Sequence, residues 1–211
     1  MTMSYLELIS EYVQAGKAPL VQEKIHEALE AGVKAGDILN DGLLDGMGKL
    51  GVRFKNNEVY VPEVLIAARA LNKGIEILKP HLIEAGVKPI GKVVLATVKG
   101  DLHDIGKNLV KMMLVGAGFE VIDLGTDVSG EQIVAAVLEH KPNIVALSAL
   151  LTTTMSAQGD VIKTLKEAGL RESVKVMVGG APVTQSFCDS IGADAYTADA
   201  ASCAEVAKTF L

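Results

Sequence analysis

The chain has 211 residues, 49% of them hydrophobic and 22% charged, and carries a net charge of -6. This is a globular balance, with core enough for one domain or two small ones. The negative charge argues against nucleic acid as a main partner, because phosphate binding calls for a basic face; with 4% aromatics and no tryptophan, a stacking platform for bases is missing too.

Glu7 and Glu11 come too early for a signal peptide. No apolar run approaches the ~20 residues of a membrane helix, so a soluble cytoplasmic protein without a membrane partner is expected. Only Cys188 and Cys203 are present, with no CxxC; they predict two buried thiols in a reducing compartment, not a disulfide framework or a zinc site.

Residues 1–87 read as wholly helical. Ser4 with Glu7 is a capping-box pattern opening a helix through Leu6, Leu8, Ile9 and Val13. Pro19 suits an early helical position, and Val21, Ile25, Ala28 and Leu29 give the next apolar face. A third helix starts at Gly36-Asp37 and carries Ile38, Leu39, Leu43, Met47, Leu50 and Phe54 on one side. It also carries Gly42, Gly46, Gly48 and Gly51. Each costs about 1 kcal/mol relative to alanine in a helix interior, which points to close helix contact or to room left for something bulky. Pro62 opens a fourth helix through Val64, Leu65, Ala68, Leu71, Ile75 and Leu78. Together these predict a four-helix bundle.

Residues 88–91, Lys-Pro-Ile-Gly, read as a linker. From 92 to 211 strand and helix alternate, with strands expected near 92–98, 120–124, 143–148, 174–178 and 194–197. Helices are expected near 105–117, 130–140, 155–168, 184–191 and 200–210. Ser129 with Gln132 repeats the capping-box pattern. The fold class is α/β: a flavodoxin-like, Rossmann-type, doubly wound parallel sheet of five strands behind a helical cap. Right-handed crossovers bring three loops to the carboxyl edge of that sheet, Gly100–Gly106, Ser148–Thr154 and Gly179–Pro182.

The first loop holds Asp101, His103 and Asp104 between two glycines. Asp101 and His103, two apart in an extended stretch, can point the same way. A carboxylate there can take the proton of one imidazole nitrogen and leave the other for a metal or a proton transfer; a polar surface loop explains the fragment equally well. His26, His81 and His140 sit among charged helix neighbours and read as solvated. Ser148, Thr152, Thr153 and Thr154 put more hydroxyls in the second loop than helix capping requires. Gly179-Gly180 in the third allows either a close ligand approach or a tight turn. Neither GxGxxG nor a P-loop is present, so a dinucleotide or ATP has no specific support, and there is no GxSxG hydrolase elbow.

Asp101-x-His103-x-x-Gly106, then Ser148-x-Leu150, then Gly179-Gly180, resembles the cobalamin-binding signature of corrinoid proteins. It is most similar to the methyl-carrying subunits of corrinoid-dependent methyltransferase systems and to the matching segment of cobalamin-dependent methionine synthase. The resemblance spans the whole chain, with 1–87 similar to that family's cap domain, most typically at Phe54 and Tyr60 to Leu65. It implies a cobalamin or related corrinoid whose own base swings away from cobalt, with His103 replacing it as lower axial ligand and metal ligand. Asp101 would hydrogen-bond the remote nitrogen of His103, and Thr154 would complete the relay. Gly100, Leu102, Asp104, Ile105 and Gly106 would line the loop beneath the macrocycle, Asp104 at the helix start or supporting the site. Ser148, Leu150, Thr152, Gly179 and Gly180 would border the nucleotide tail, flanked by Tyr196, Thr197 and Ala198 at the end of the last strand. Tyr60, Val61 and Leu65 would shield the upper face.

The resemblance further implies a methyl carrier served by three partners: a substrate:corrinoid methyltransferase, a methylcorrinoid:tetrahydrofolate or coenzyme M methyltransferase, and a reductive activase. Adenosylcobalamin-dependent mutases share the loop signature but lack a helical cap directly before the sheet. A cobalamin-based regulatory sensor would need a DNA-binding segment. A flavin carrier would need a hydroxyl-rich phosphate cradle after the first strand.

Overall fold

Local sequence signals start most of the helices. The computed structural model describes residues 3–211, and its chain divides into two units, the first running to Pro89 and including Gly116–Gly118, the second made of Ile90–Val115 and Phe119–Leu211. Helix α1 (Tyr5–Gln14) opens on Ser4, whose hydroxyl accepts from the Glu7 N–H while the Glu7 carboxylate accepts from the Ser4 N–H at 2.7 Å. This is the reciprocal satisfaction that a capping box provides. Helix α2 (Ala18–Glu30) carries Pro19 in its first turn, where the missing N–H removes no bond. Next come α3 (Ala35–Asp37), a π-helical stretch (Ile38–Leu44) and α4 (Asp45–Lys55), which run on as one rod. The π-helical turns were not readable from apolar spacing.

Helix α5 (Val61–Glu84) runs through the expected Val64–Leu78 face and passes through Pro80. The four-helix unit buries Ile9, Val13, Ile25, Ile38, Leu43, Leu50, Val64 and Leu78. Its glycines divide between two roles. A Cβ on Gly42 would meet Ile9 at 3.1 Å and one on Gly46 would meet the Ser10 carbonyl oxygen at 2.6 Å, whereas Gly48 faces open space. Close helix contact therefore accounts for the first two. The buried Ser10 donates to Asp45 at 2.6 Å, tying α1 to α4.

In the second unit, β1 (Lys92–Thr97), β2 (Glu120–Asp123), β3 (Ile144–Ser148), β4 (Lys175–Gly179) and β5 (Ala195–Tyr196) form one sheet. Its order is β2-β1-β3-β4-β5 and every pairing is parallel. The central strands β1, β3 and β4 are near-continuous apolar runs because both faces are covered. The connecting helices are α6 (Ile105–Gly116), α7 (Gly130–His140), α8 (Thr152–Glu167), α9 (Gln185–Ile191) and α10 (Ala200–Lys208). Val94, Ala96, Val145, Leu147, Val176 and Val178 pack with Ile133, Val137, Ile162 and Leu165 in one core cluster. Reversal of strand order at β1/β3 places the carboxyl ends of these strands at the switch point where open α/β sheets hold ligands.

Two boundaries differ from expectation. Thr152–Thr154 belong to α8 and not to a loop, for a reason that lies in the site. The last strand has only two residues, so Thr197 and Ala198 lie beyond it. Both cysteines are buried, and burial pushes the Cys203 thiol up to about 11. Among the described residues, no helix is long and apolar enough to cross a membrane.

Candidate functional site

Asp101 is fully buried just past β1, and every bond it makes is directed. Its Oδ2 accepts from the Leu150 N–H at 2.7 Å, the Leu151 N–H at 3.3 Å and the Thr154 hydroxyl at 2.7 Å. Its Oδ1 accepts from the His103 N–H at 3.0 Å and meets His103 Nδ1 at 2.7 Å. Burial alone would push this carboxyl up. The donors from Thr154, the His103 and Leu150 amides and the His103 ring outweigh it and hold the group well below the usual carboxylate range.

An ionised carboxylate only accepts, so Nδ1 is assigned as the donor; in the neutral ring Nε2 then carries the lone pair. The His103 side chain is 51% exposed, so that nitrogen is open to a ligand. The carboxylate also explains the early start of α8. From a distant part of the chain it accepts the Leu150 and Leu151 N–H groups just ahead of that helix and the Thr154 hydroxyl in its first turn, and a negative charge is favoured at a helix N-terminus.

Neighbouring elements pin the loop. The Thr97 hydroxyl donates to the His103 carbonyl oxygen at 2.9 Å, the Gly100 N–H donates to Asp127 at 2.7 Å, and the Asp127 N–H donates to the Asp101 carbonyl oxygen at 3.0 Å. Gly100 itself has φ +83, which glycine adopts without cost. Asp104 accepts from the Asn108 backbone and side chain at the start of α6, a helix-starting role.

Lys107, buried in the first turn of α6, bonds both oxygens of Asp123 at 2.7 and 2.8 Å and Asn108 Oδ1 at 3.0 Å. Burial opposes ionisation of Asp123, but Lys107, the Gly125 N–H and Lys111 hold its pKa below the ordinary value. An Asp123→Ala change strands a buried ammonium and is expected to cost about 3 kcal/mol in urea unfolding. Because the folded pKa is depressed, the stabilisation is present above the unfolded value of about 4 and is lost as pH falls through the lower folded one. The variant should lack that part of the acid-side slope.

At the ends of β3 and β4, Ser148 pairs with Gly179, and the Ala149 N–H donates to the Gly179 carbonyl oxygen at 3.2 Å. Gly180 has φ +126, and a Cβ there would run into the Ala149 carbonyl oxygen. Gly180→Ala is therefore expected to lose about 2–4 kcal/mol in denaturant unfolding. Gln158, fully buried on α8, donates through Nε2 to the carbonyl oxygens of Leu147 and Gly179, each at 3.0 Å. Its Oε1 has no partner among the described residues.

The structure thus brings Asp101, His103 and Thr154 into one bonded group, with Ser148, Leu150, Gly179 and Gly180 on the adjoining strand ends. Thr152 is exposed on α8, Tyr196 and Thr197 are half-buried, and Ala198 is exposed. On the helical unit Tyr60 and Leu65 are exposed and Val61 is half-buried, so these side chains are open to a ligand. Residue reading missed Thr97, Asp127, Lys107, Asp123 and Gln158. For Gln158 a signal existed, since it falls on the buried stripe of α8 with Thr154, Val161, Ile162 and Leu165.

Two family models match the chain, both described as B12 binding domain, over residues 91–208 and 5–79. The chain belongs to the B12-binding corrinoid proteins. A corrinoid protein of Desulfitobacterium hafniense is 40% identical across 100% of this chain and 99% of its own. Trimethylamine corrinoid protein 1 of Methanosarcina acetivorans is 46% identical over 84% of this chain and 83% of its own. Among solved structures, the methanol:cobalamin methyltransferase complex of Methanosarcina barkeri matches with a TM-score of 0.88. It shares 34% identity, over 97% of this chain and 78% of that one.

The cofactor of this corrinoid protein is accordingly a corrinoid, and the residues present fit one. A flat macrocycle with a metal at its centre would need a nitrogen donor amid exposed apolar side chains. His103 is half exposed, and Leu102 and Ile105 beside it are 74% and 78% exposed.

Proposed function

We propose that this corrinoid protein is a methyl carrier. It accepts a methyl group through one partner methyltransferase from an N- or O-methylated substrate and delivers it through a second to tetrahydrofolate or coenzyme M. A reductive activase serves as a third partner. Trimethylamine and dimethylamine corrinoid proteins among the relatives favour an N-methylated amine as donor. Substrate chemistry belongs to the partners.

The observation that carries this reading is the His103 imidazole, half exposed at the sheet's carboxyl edge with its far nitrogen gripped by a buried carboxylate. A bound corrinoid supplies a cobalt able to take up a methyl group and to give it up again. His103 would hold the metal through Nε2. Asp101 holds the proton at Nδ1, fixing the tautomer and the orientation of the ring. Thr154 and the His103 and Leu150 amides keep Asp101 ionised, so the Nδ1 proton stays on the ring.

The test is to reconstitute the protein with cobalamin, reduce it, and assay methylation with methylamine, betaine, methanol and aryl methyl ether methyltransferase pairs. Methyl uptake with one class of pair is expected. Uptake with none of them would overturn the carrier assignment.

A further inference from the structure

We infer that Gln158 is a positioning residue for the nucleotide tail of the corrinoid. It fixes, through two backbone carbonyls, the strand ends that carry Ser148 and Gly180. The inference rests on the assignment of those two strand ends to the tail.

Side chains alternate across a sheet. Leu147 points into the cluster shared with α7 and α8, so Ser148 points to the opposite face. Gln158 reaches the carbonyl oxygens of Leu147 and Gly179 on the α8 side and so acts on the tail site through the backbone.

The β3–β4 ladder has its last pair at Ser148 and Gly179. Just beyond it, Gly180 turns at φ +126 with its backbone tight against Ala149. The carboxamide spans the two strands at this point and sets their spacing where regular pairing stops.

Packing alone does not explain the residue. Its Oε1 is buried without a donor, a cost that a methionine of similar length would avoid. Its position on the helix points to a second duty. Thr154, four residues earlier and so on the same face of α8, donates to Asp101. One helix face therefore grips both the support of the axial ligand and the ends of the tail strands.

The test measures binding of two probes to the full chain by isothermal titration: aquacobalamin, and diaquacobinamide, which lacks the nucleotide tail. The parent protein is expected to bind aquacobalamin more tightly. Gln158→Met should weaken aquacobalamin binding by about 10–100-fold, the range seen when support behind a ligand is removed, while diaquacobinamide binding stays at the parent level. Gln158→His, which keeps one N–H donor, should fall between the two. A parent protein that binds both probes equally would sink the tail assignment and the inference with it. A parent that discriminates while Gln158→Met retains full aquacobalamin affinity would overturn the role of Gln158 alone. Equal loss of both probes, or failure of both variants to fold, would make Gln158 a structural residue only and end the proposal.

Discussion

A His103→Gly variant is expected to fold like the parent and yet to bind its corrinoid without a protein nitrogen on the metal. The ring is half exposed and makes one side-chain hydrogen bond, to Asp101, while the backbone N–H that also serves Asp101 survives the change. Unfolding free energy should fall by about 1.5–3 kcal/mol, the worth of one hydrogen bond to a charged group. Methyl transfer should fall by at least about 10–100-fold, since removing a ligand costs no less than removing the support behind one. The absorbance and paramagnetic resonance spectra of the reconstituted protein should lose the signature of an axial imidazole. Unchanged spectra together with unchanged transfer would remove His103 from the metal.

The second large effect separates holding the fold from preparing the ligand. Asp101→Ala deprives the Leu150, Leu151 and Thr154 donors of their shared acceptor in a buried position. At about 1–3 kcal/mol for a stranded group, a loss of about 3 kcal/mol in denaturant unfolding is expected, with fraying of the first turn of α8. Asp101→Asn should behave differently. Its amide oxygen can serve the α8 donors, leaving its NH2 against His103 Nδ1. The ring must then accept there and carry its proton on Nε2, the wrong tautomer for a ligand. The Asn variant should lose about 1 kcal/mol, less than the Ala variant, because its NH2 can no longer accept the His103 N–H, while its spectrum approaches that of His103→Gly. An Asn variant with parental ligation would show that tautomer control does not depend on the charge of Asp101.

Most of the architecture was legible because the local signals agreed with the fold. The Ser4–Glu7 and Ser129–Gln132 boxes both formed, and the β-branched runs at 92–97 and 144–148 became central strands. Misreadings arose where distant residues intervene. Nothing within 148–155 announces that a carboxylate some fifty positions earlier accepts from Leu150 and Leu151, so Thr152–Thr154 read as loop. The π-helical turns at Ile38–Leu44 lie where Gly42 sits against Ile9 and Leu43 beside Gly74, contacts that apolar spacing does not encode. Within the site, DxH alone was ambiguous. Its meaning came from the second and third loops and from a resemblance carried by all three. The supporting layer of Thr97, Asp127, Lys107 and Gln158 escaped because each looks ordinary in its own segment.

The grip of Asp101 on two backbone amides gives the molecule a built-in gauge. The Leu150 and Leu151 N–H groups point at a side-chain oxygen and not at a helical carbonyl, so their exchange with solvent deuterium reads the state of that carboxylate directly. Isotope labelling of leucine alone would let an observer follow, residue by residue and without any chromophore, whether the histidine's anchor tightens or slackens as partners come and go.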